Sequence, residues 1–340
     1  MPKDLATEPS SPTWEAPRRL TESTSWNGRT GVTTHYIPRI TPVAKALDHA
    51  ARHLANLCRP TASLSDLEAF FAKWQDPANA GRLQPNALAW FDHSDVLGSA
   101  VSSGREDVVR VLLGQGLRPG EWDVFMALIA VKQGGSSKEV LSLFLEHGWE
   151  INRAVNEFTT PILGYLINNE ELVQWCLSLG ATPDAAGPRG YTAMQSAVSD
   201  APLKTLQLLV AHGGTIRNTD LVAHAASAYC PSNRDRLPVI QYLLEQGAPI
   251  DTYYMSHSSA WNSVDHGMYI RFGKQNALHR AISGGEKELV QFLLERGADA
   301  KLEMFSLKTK FQSKRPVELA EMLGFEDIAI LLKRWLRSVL

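Results

Sequence analysis

The sequence predicts an all-α fold in which short helix pairs stack in series, and three observations carry that expectation. First, a glycine closes an apolar segment at Gly116, Gly148, Gly180, Gly213, Gly247 and Gly297. The first four intervals are 32, 32, 33 and 34 residues and the last is 50. A fixed period of this length marks a repeat array. Second, the segments ahead of these glycines carry apolar residues at helical spacing. They run Val108 to Leu113, Val140 to Leu145, Leu172 to Leu177, Leu206 to Val210 and Val239 to Leu244. Third, each such helix is too short to be stable alone, because helix nucleation is costly. The pairs must find their core in one another.

The stretch 276–299 is the clearest copy. Leu278, Ala281 and Ile282 fall on one face of its first helix, and Asn276 stands at the N-cap position ahead of them. Gly284-Gly285 supplies a residue able to take positive φ and ends that helix. The second helix carries Leu289, Val290, Leu293 and Leu294, and Gly297 closes it.

These residues make the chain similar to the ankyrin-repeat family, whose unit of about 33 residues opens its inner helix with Thr-Pro-Leu-His. The corresponding tetrapeptides here are Thr160-Pro161-Ile162-Leu163, Thr192-Ala193-Met194-Gln195, Asn276-Ala277-Leu278-His279 and Asp95-Val96-Leu97-Gly98. Gly-Ala closings stand at Gly180-Ala181, Gly247-Ala248 and Gly297-Ala298. The resemblance covers residues 95 to 336 and implies an ankyrin-type solenoid with projecting finger loops. It also implies a hydrogen bond from the His279 ring to loop backbone, and a non-catalytic module that presents fingers and inner helices to a protein partner.

Composition narrows the classes. The hydrophobic content of 44% is enough for a continuous core, and a net charge of −2 creates no global field for nucleic acid or anionic membrane. No apolar run approaches the ~18 residues of a membrane span. The opening Met1-Pro2-Lys3-Asp4 lacks the basic-then-apolar order of a secretory signal. Cys58, Cys176 and Cys230 are three and far apart, which suits a reduced, intracellular compartment, cytoplasmic or nuclear.

Along the chain, residues 1–34 are rich in Ser, Thr and Pro and read as a flexible arm; Trp14 and Trp26 mark either a docking peptide or rings laid on the first repeat. Residues 35–94 read as a divergent N-terminal capping repeat. In it a helix runs from Thr41-Pro42 to Leu57, a partner carries Leu67, Phe70, Phe71 and Trp74, and a long loop follows over 75–94. Residues 95–314 hold the repeats, with Gln133 to Ser137 lengthening one turn and Asp200-Ala201-Pro202 forming another. Tyr229 to Pro238 reads as an enlarged turn with Asn233-Arg234-Asp235-Arg236 exposed. Insertions at 251–275 and 301–314 fall at finger positions, where small hairpins are expected. Residues 315–340 make a C-terminal cap, with Lys333, Arg334 and Arg337 near the negative end of the last helix.

No phosphate-binding loop, nucleophile elbow or His-Glu-x-x-His helix is present. His257 and His266 share a loop, and His49 and His53 lie four apart, but neither pair has the ligand set of a standard metal site. No catalytic residue, metal or cofactor is expected. The 251–275 finger is more informative, because loops are normally polar and this one holds Tyr253, Tyr254, Trp261, Tyr269, Arg271 and Phe272. Such residues are enriched in interface cores. Two destinations stand side by side: a partner's surface, or the chain's own repeats. Lys308 and Lys310 in the second finger suit an acidic partner, a phosphate backbone or a solvated loop. The expectation is a monomeric scaffold or adaptor that binds a protein partner, without direct nucleic-acid or membrane contact. The alternatives are a nuclear co-regulator working through a DNA-binding partner, and an enzyme or enzyme subunit with an unrecognised site.

Overall fold

The glycine period has a direct structural counterpart. In the computed structural model, Gly116, Gly148, Gly180, Gly213, Gly247 and Gly297 all adopt the left-handed region, with φ between 85° and 98°. After each, the next N–H reaches back five residues to a helix carbonyl. Ala181 N donates to Cys176 O at 3.0 Å and Ala298 N to Leu293 O at 3.0 Å. This 6→1 bond satisfies a carbonyl that the helix end leaves orphaned, and only glycine enters the turn without steric cost.

The structure describes residues 42–75, 96–134, 137–156, 159–217, 219–230, 232–234, 236–254, 275–304 and 314–338. They lie in one compact unit spanning Arg39–Leu340 and form helices without a strand. The helices come in eight pairs. In chain order they are α1 Pro42–Leu57, α2 Leu64–Gln75, α3 Val96–Ser102, α4 Glu106–Gly114, α5 Glu121–Lys132, α6 Ser137–Glu146, α7 Ile162–Tyr165 and α8 Glu170–Ser178. There follow α9 Ala193–Asp200, α10 Leu203–Ala211, α11 Leu221–Ala228, α12 Arg236–Glu245, α13 Ala277–Ser283, α14 Lys287–Glu295, α15 Pro316–Leu323 and α16 Glu326–Ser338.

Each first helix packs on the next first helix: α1 on α3, α3 on α5, then α7 on α9, α9 on α11, α11 on α13 and α13 on α15. At the α5–α7 step the rings of Phe125 and Tyr165 meet edge to face at 6.3 Å. Second helices follow alongside, as α2 on α4, α4 on α6 and α14 on α16. This is the all-α stack of helix pairs that the periodicity predicts, of the ankyrin type that the resemblance implies. A single apolar strip runs through it from Ala50 to Leu332, including Leu112, Phe144, Val173, Leu209, Leu243 and Leu293, all fully buried.

Helix starts follow the sequence logic. Asn276 Oδ1 accepts the His279 N–H at 3.0 Å, Asn169 Oδ1 accepts Leu172 N at 3.2 Å, and Thr192 with Gln195 forms a capping box. The expected hairpin at the second finger has an antiparallel bridge at its base, Met304 to Lys314. Loop side chains tie each pair to the following one. Asn152 Oδ1 accepts Thr182 N at 2.8 Å, Asp184 Oδ2 accepts Thr215 N at 3.1 Å, and Asp251 Oδ2 accepts Asp299 N at 3.2 Å. Exposed ion pairs join neighbouring second helices, as in Lys204–Glu170 and Lys287–Asp327, but at ~0–1 kcal/mol each they add little.

One expectation about a turn needs correction. Arg236 does not belong to an exposed turn: α12 begins with it, and at 1% exposure it is among the largest fully buried side chains. Its Nη1 donates to the carbonyls of Ala197 and Val198 at 3.4 and 3.2 Å, at the end of α9. Ala197 O also accepts the Ala201 N–H at 3.0 Å, and the buried cation adds a second donor to the carbonyls at this helix end. Pro238 is tolerated because it sits in the first turn, where no helical N–H bond is lost. Helix α5 starts at Glu121, where the Asp123 carboxylate accepts the Gly120 N–H at 2.8 Å. The arm expected at 1–34, residues 76–94 of the loop expected over 75–94, and residues 255–274 and 305–313 lie outside the described residues, while Gln75 ends α2.

Two measurements test this core. Leu293→Ala removes a fully buried side chain and should cost about 2–5 kcal/mol in a denaturant melt; an unchanged midpoint would contradict the stacked core. Arg236→Ala should cost about 3 kcal/mol or more, because it leaves a void and takes a buried charged donor away from the Ala197 and Val198 carbonyls. Arg236→Met, which keeps most of the volume, should cost less than Arg236→Ala. Equal losses in the two variants would assign the whole effect to the missing charge.

Candidate functional site

The two rows of helices differ in chemistry. Along the first helices α3, α5, α7, α9, α11 and α13, the charged residues are Glu121, Asp123, Lys132, Asp200 and Arg280, and Asp123 is buried. The second helices carry the acidic and basic side chains that pair across repeats. The face of the first helices is instead lined with rings. Trp122 and Phe125 of α5 stand with centroids 5.8 Å apart, Phe125 meets Tyr165 of α7, and Lys132 Nζ lies 5.5 Å above the Tyr165 ring.

Further along, Ser196, His224 and Arg280 occupy one position in successive helices, four residues after the N-caps Thr192, Asp220 and Asn276. The ring of Tyr254 joins two of them. Its centroid is 4.1 Å from that of His224, and the Arg280 guanidinium carbon lies 4.3 Å from it. Tyr191 approaches His224 edge-on at 6.3 Å. Beneath the stack, His224 Nε2 is 3.5 Å from Asp220 Oδ2, and Gln195 Nε2 donates to Asp220 Oδ1 at 3.2 Å. His224 and Asp220 are both nearly inaccessible to solvent.

Tyr253 and Tyr254 therefore form the root of the first finger, half-buried against their own repeats. Tyr254 N donates to Gln275 O at 2.8 Å and closes the finger's neck; Tyr253 Oη donates to Glu303 O at 2.7 Å, in the root of the second finger. Burial pushes the Tyr253 phenol above its usual pKa, so it remains a donor. The other expected partner-binding residues, Trp261, Tyr269, Arg271, Phe272, Lys308 and Lys310, lie outside the described residues, as do His257 and His266. The sequence reading passed over Trp122, Phe125, Tyr165, His224 and Arg280. The one signal available for the first two was that α5 is apolar all round, which a helix with one free face does not need.

Both finger necks converge on the start of α13. Asn276 Nδ2 donates to Asp251 Oδ1 at 3.1 Å, and Asn276 Oδ1 faces His279 Nδ1 at 2.6 Å, which puts the proton of the neutral ring on Nδ1. Gln275 Nε2 reaches Met304 Sδ at 3.5 Å, beside the Met304–Lys314 bridge. His279 is fully buried, and burial lowers its pKa to about 4, against the opposing pull of backbone groups at Leu302 and Lys314. His279 Nε2 is buried without a hydrogen-bond partner among the described residues, so the bond from this ring to loop backbone that the resemblance implies is not formed; the ring bonds the Asn276 side chain instead.

The remaining reactive groups are quiet. Burial raises the Cys58 and Cys176 thiols to about 12, so neither is a nucleophile at neutral pH, and Cys230 is half-buried and free. Among the described residues no group of three or more His, Cys, Asp or Glu side chains is placed to hold a metal, and His53 leans on Phe70 at 5.7 Å. No helix among the described residues is long and apolar enough to cross a membrane.

The buried His279 predicts a pH signature. Its pKa is lower folded than unfolded, so the unfolded chain binds the extra proton and stability rises with pH through this interval. The contribution is complete above about 6.5 and is lost progressively as the pH falls toward about 4. By pH 5 roughly 2 kcal/mol should be gone. The stability gap between the parent and His279→Gln should narrow by that amount between pH 7.5 and 5, as read by urea melts. Parallel profiles would rule the buried neutral histidine out.

Comparison with family models agrees with the geometry of one repeat. The family model of the ankyrin repeat matches residues 274–303. No curated protein matches the sequence. Among solved structures, the ankyrin repeat domain of Bcl-3, described as a unique member of the IkappaB protein family, is 21% identical, with a TM-score of 0.43. The alignment covers 62% of this chain and 85% of that one. The matched segment contains α13 and α14 with their glycine turns, so residues 274–303 are identified as an ankyrin repeat, and this repeat stands in a stack of helix pairs built the same way.

Proposed function

We propose that the protein is a non-catalytic scaffold that holds a protein partner against the face of its first helices and the two fingers rooted beside it. One observation carries this reading: the first-helix face is poor in charge and lined with rings, whereas the second helices spend their charges on one another. Aromatic side chains and arginine are enriched at interface cores, and lysine and glutamate are depleted there. The rings of Tyr253 and Tyr254 support a division of labour within the first finger. Its root is spent on holding the loop to the array, and Trp261, Tyr269, Arg271 and Phe272 further out are the anchors for the partner. Lys308 and Lys310 in the second finger add electrostatic steering.

The end pairs act as caps in this reading, residues 35–94 at one end and 315–340 at the other. Val317 of α15 is half-buried where its counterpart Leu278 of α13 is fully buried, as suits a last repeat with one face left without a neighbour. Three free thiols suit a monomer working in the cytoplasm or the nucleus.

The test uses the full chain. Its partner is identified by cross-linking and mass spectrometry, purified, and titrated against the parent and against a variant in which residues 255–274 are replaced by a Gly-Ser pair. Because Tyr254 and Gln275 already meet at the neck, the melting curve should be nearly unchanged. Affinity should fall about 30-fold or more, the weight of one interface hot spot. A variant of intact stability that binds as tightly as the parent would refute the finger as the anchor.

A further inference from the structure

Helix α5 reads Glu-Trp-Asp-Val-Phe-Met-Ala-Leu-Ile-Ala-Val-Lys and is apolar on every side, the pattern of a helix enclosed all round. It is not enclosed. Val124, Ala127 and Leu128 are buried, Phe125, Met126, Ile129 and Val131 are half-buried, and Trp122 is 52% exposed. The indole nevertheless has a seat. A Cβ added at Gly98 of α3 would lie 2.8 Å from Trp122 Cδ1 and 3.1 Å from Nε1. Any other residue there would push the ring away. Glycine weakens a helix more than any residue but proline, so α3 gives up stability to hold a ring that stays half in solvent. Core packing does not account for that arrangement, whereas a binding surface does.

The ring is not isolated. Phe125 and Tyr165 continue the patch across two repeats, and Lys132 stands above Tyr165 at its far edge. Lys132 forms no ion pair among the described residues. The other exposed charge on α5, Glu121, sits about 16 Å away at the opposite end of the helix and pairs with Arg153 at 3.6 Å. The patch is therefore apolar over most of its area and ends in one uncompensated cation.

We propose that Trp122, Phe125, Tyr165 and Lys132 form a docking spot for a segment of a partner protein that presents a large apolar side chain with a carboxylate beside it. The rings take the apolar group, and the Lys132 ammonium selects the acid. This rests on the scaffold reading and names the chemistry of what the scaffold holds, on helices other than those that root the fingers.

The experiment selects random 12-residue peptides displayed on phage against the full-length chain, and in parallel against Trp122→Ala, Lys132→Glu and the finger-replaced variant. The parent should enrich peptides that pair Phe, Leu or Trp with Asp or Glu. Lys132→Glu, which leaves the core untouched, should enrich Lys or Arg in place of the acid. For a synthetic peptide from the parent selection, Trp122→Ala should weaken binding about 30-fold or more with its melting curve retained. Selections that ignore the charge reversal, peptides that bind Trp122→Ala as well as the parent, or no enrichment over bare support would each overturn the proposal. Peptides that need the finger but neither Trp122 nor Lys132 would also overturn it, while leaving the scaffold reading standing. Trp122-dependent peptides that still bind the finger-replaced chain would support the docking spot by itself.

Discussion

The constraint behind this architecture is the shortness of its first helices. α7 has four residues, α3 and α13 have seven, and α9 and α11 have eight. None of these five approaches the ~12–15 residues at which an isolated helix becomes marginal in water, a length that only α1 and α5 reach among the described first helices, so each of the five persists only while its neighbours cover it. The apolar strip from Ala50 to Leu332 is therefore the reason the helices exist, rather than a product of helices formed beforehand. Stability in such an array is a sum of unit and interface contributions, and a weak unit draws on the pairs beside it. The capped helix starts and the left-handed glycine closings serve the same end: they define helix ends that packing alone leaves free to fray.

Within this frame the start of α13 has an unusual density of polar contacts. Asn276 caps the helix, holds Asp251 of the preceding loop and faces the His279 ring. Tyr254 and Gln275 close one finger there, and Met304 and Lys314 close the other. All these groups are buried or half-buried, where an unpaired polar atom is costly, so their bonds are mutually dependent. The fingers consequently leave the array at fixed points with fixed neighbours. Their roots belong to the rigid body even where the sequence reads as loop.

Much of the fold was legible because its main signal is local. Each closing glycine sits directly after its apolar stripe, and the cap at Asn276 lies three residues before the N–H it binds. What was not legible depends on partners far along the chain. Asn233 to Arg236 looks like a solvated turn, and what buries Arg236 is a pair of carbonyls 38 and 39 residues upstream. The Asp220–His224 pair was readable from its four-residue spacing, but nothing in the sequence joins it to Tyr254. Trp122 was missed for another reason: in a helix apolar on all sides, periodicity cannot say which face remains open. The half of the finger question that concerned Tyr253 and Tyr254 turned on the same kind of distant contact.

The loop bonds that tie one pair to the next carry a consequence for insertion. Asn152 reaches Thr182 across 30 residues, Asp184 reaches Thr215 across 31, and Asp251 makes the same kind of bond to Asp299 across 48. The last of these spans the enlarged finger as though it were absent. Loop-closure entropy grows only with the logarithm of length, so the added residues weigh little on the bond that brackets them. The pitch of the stack is in this way insulated from the length of what projects between its units. Evolution, or an engineer, can exchange that projecting segment for another while every helix below keeps its register, which makes the neck between Tyr254 and Gln275 a natural grafting point.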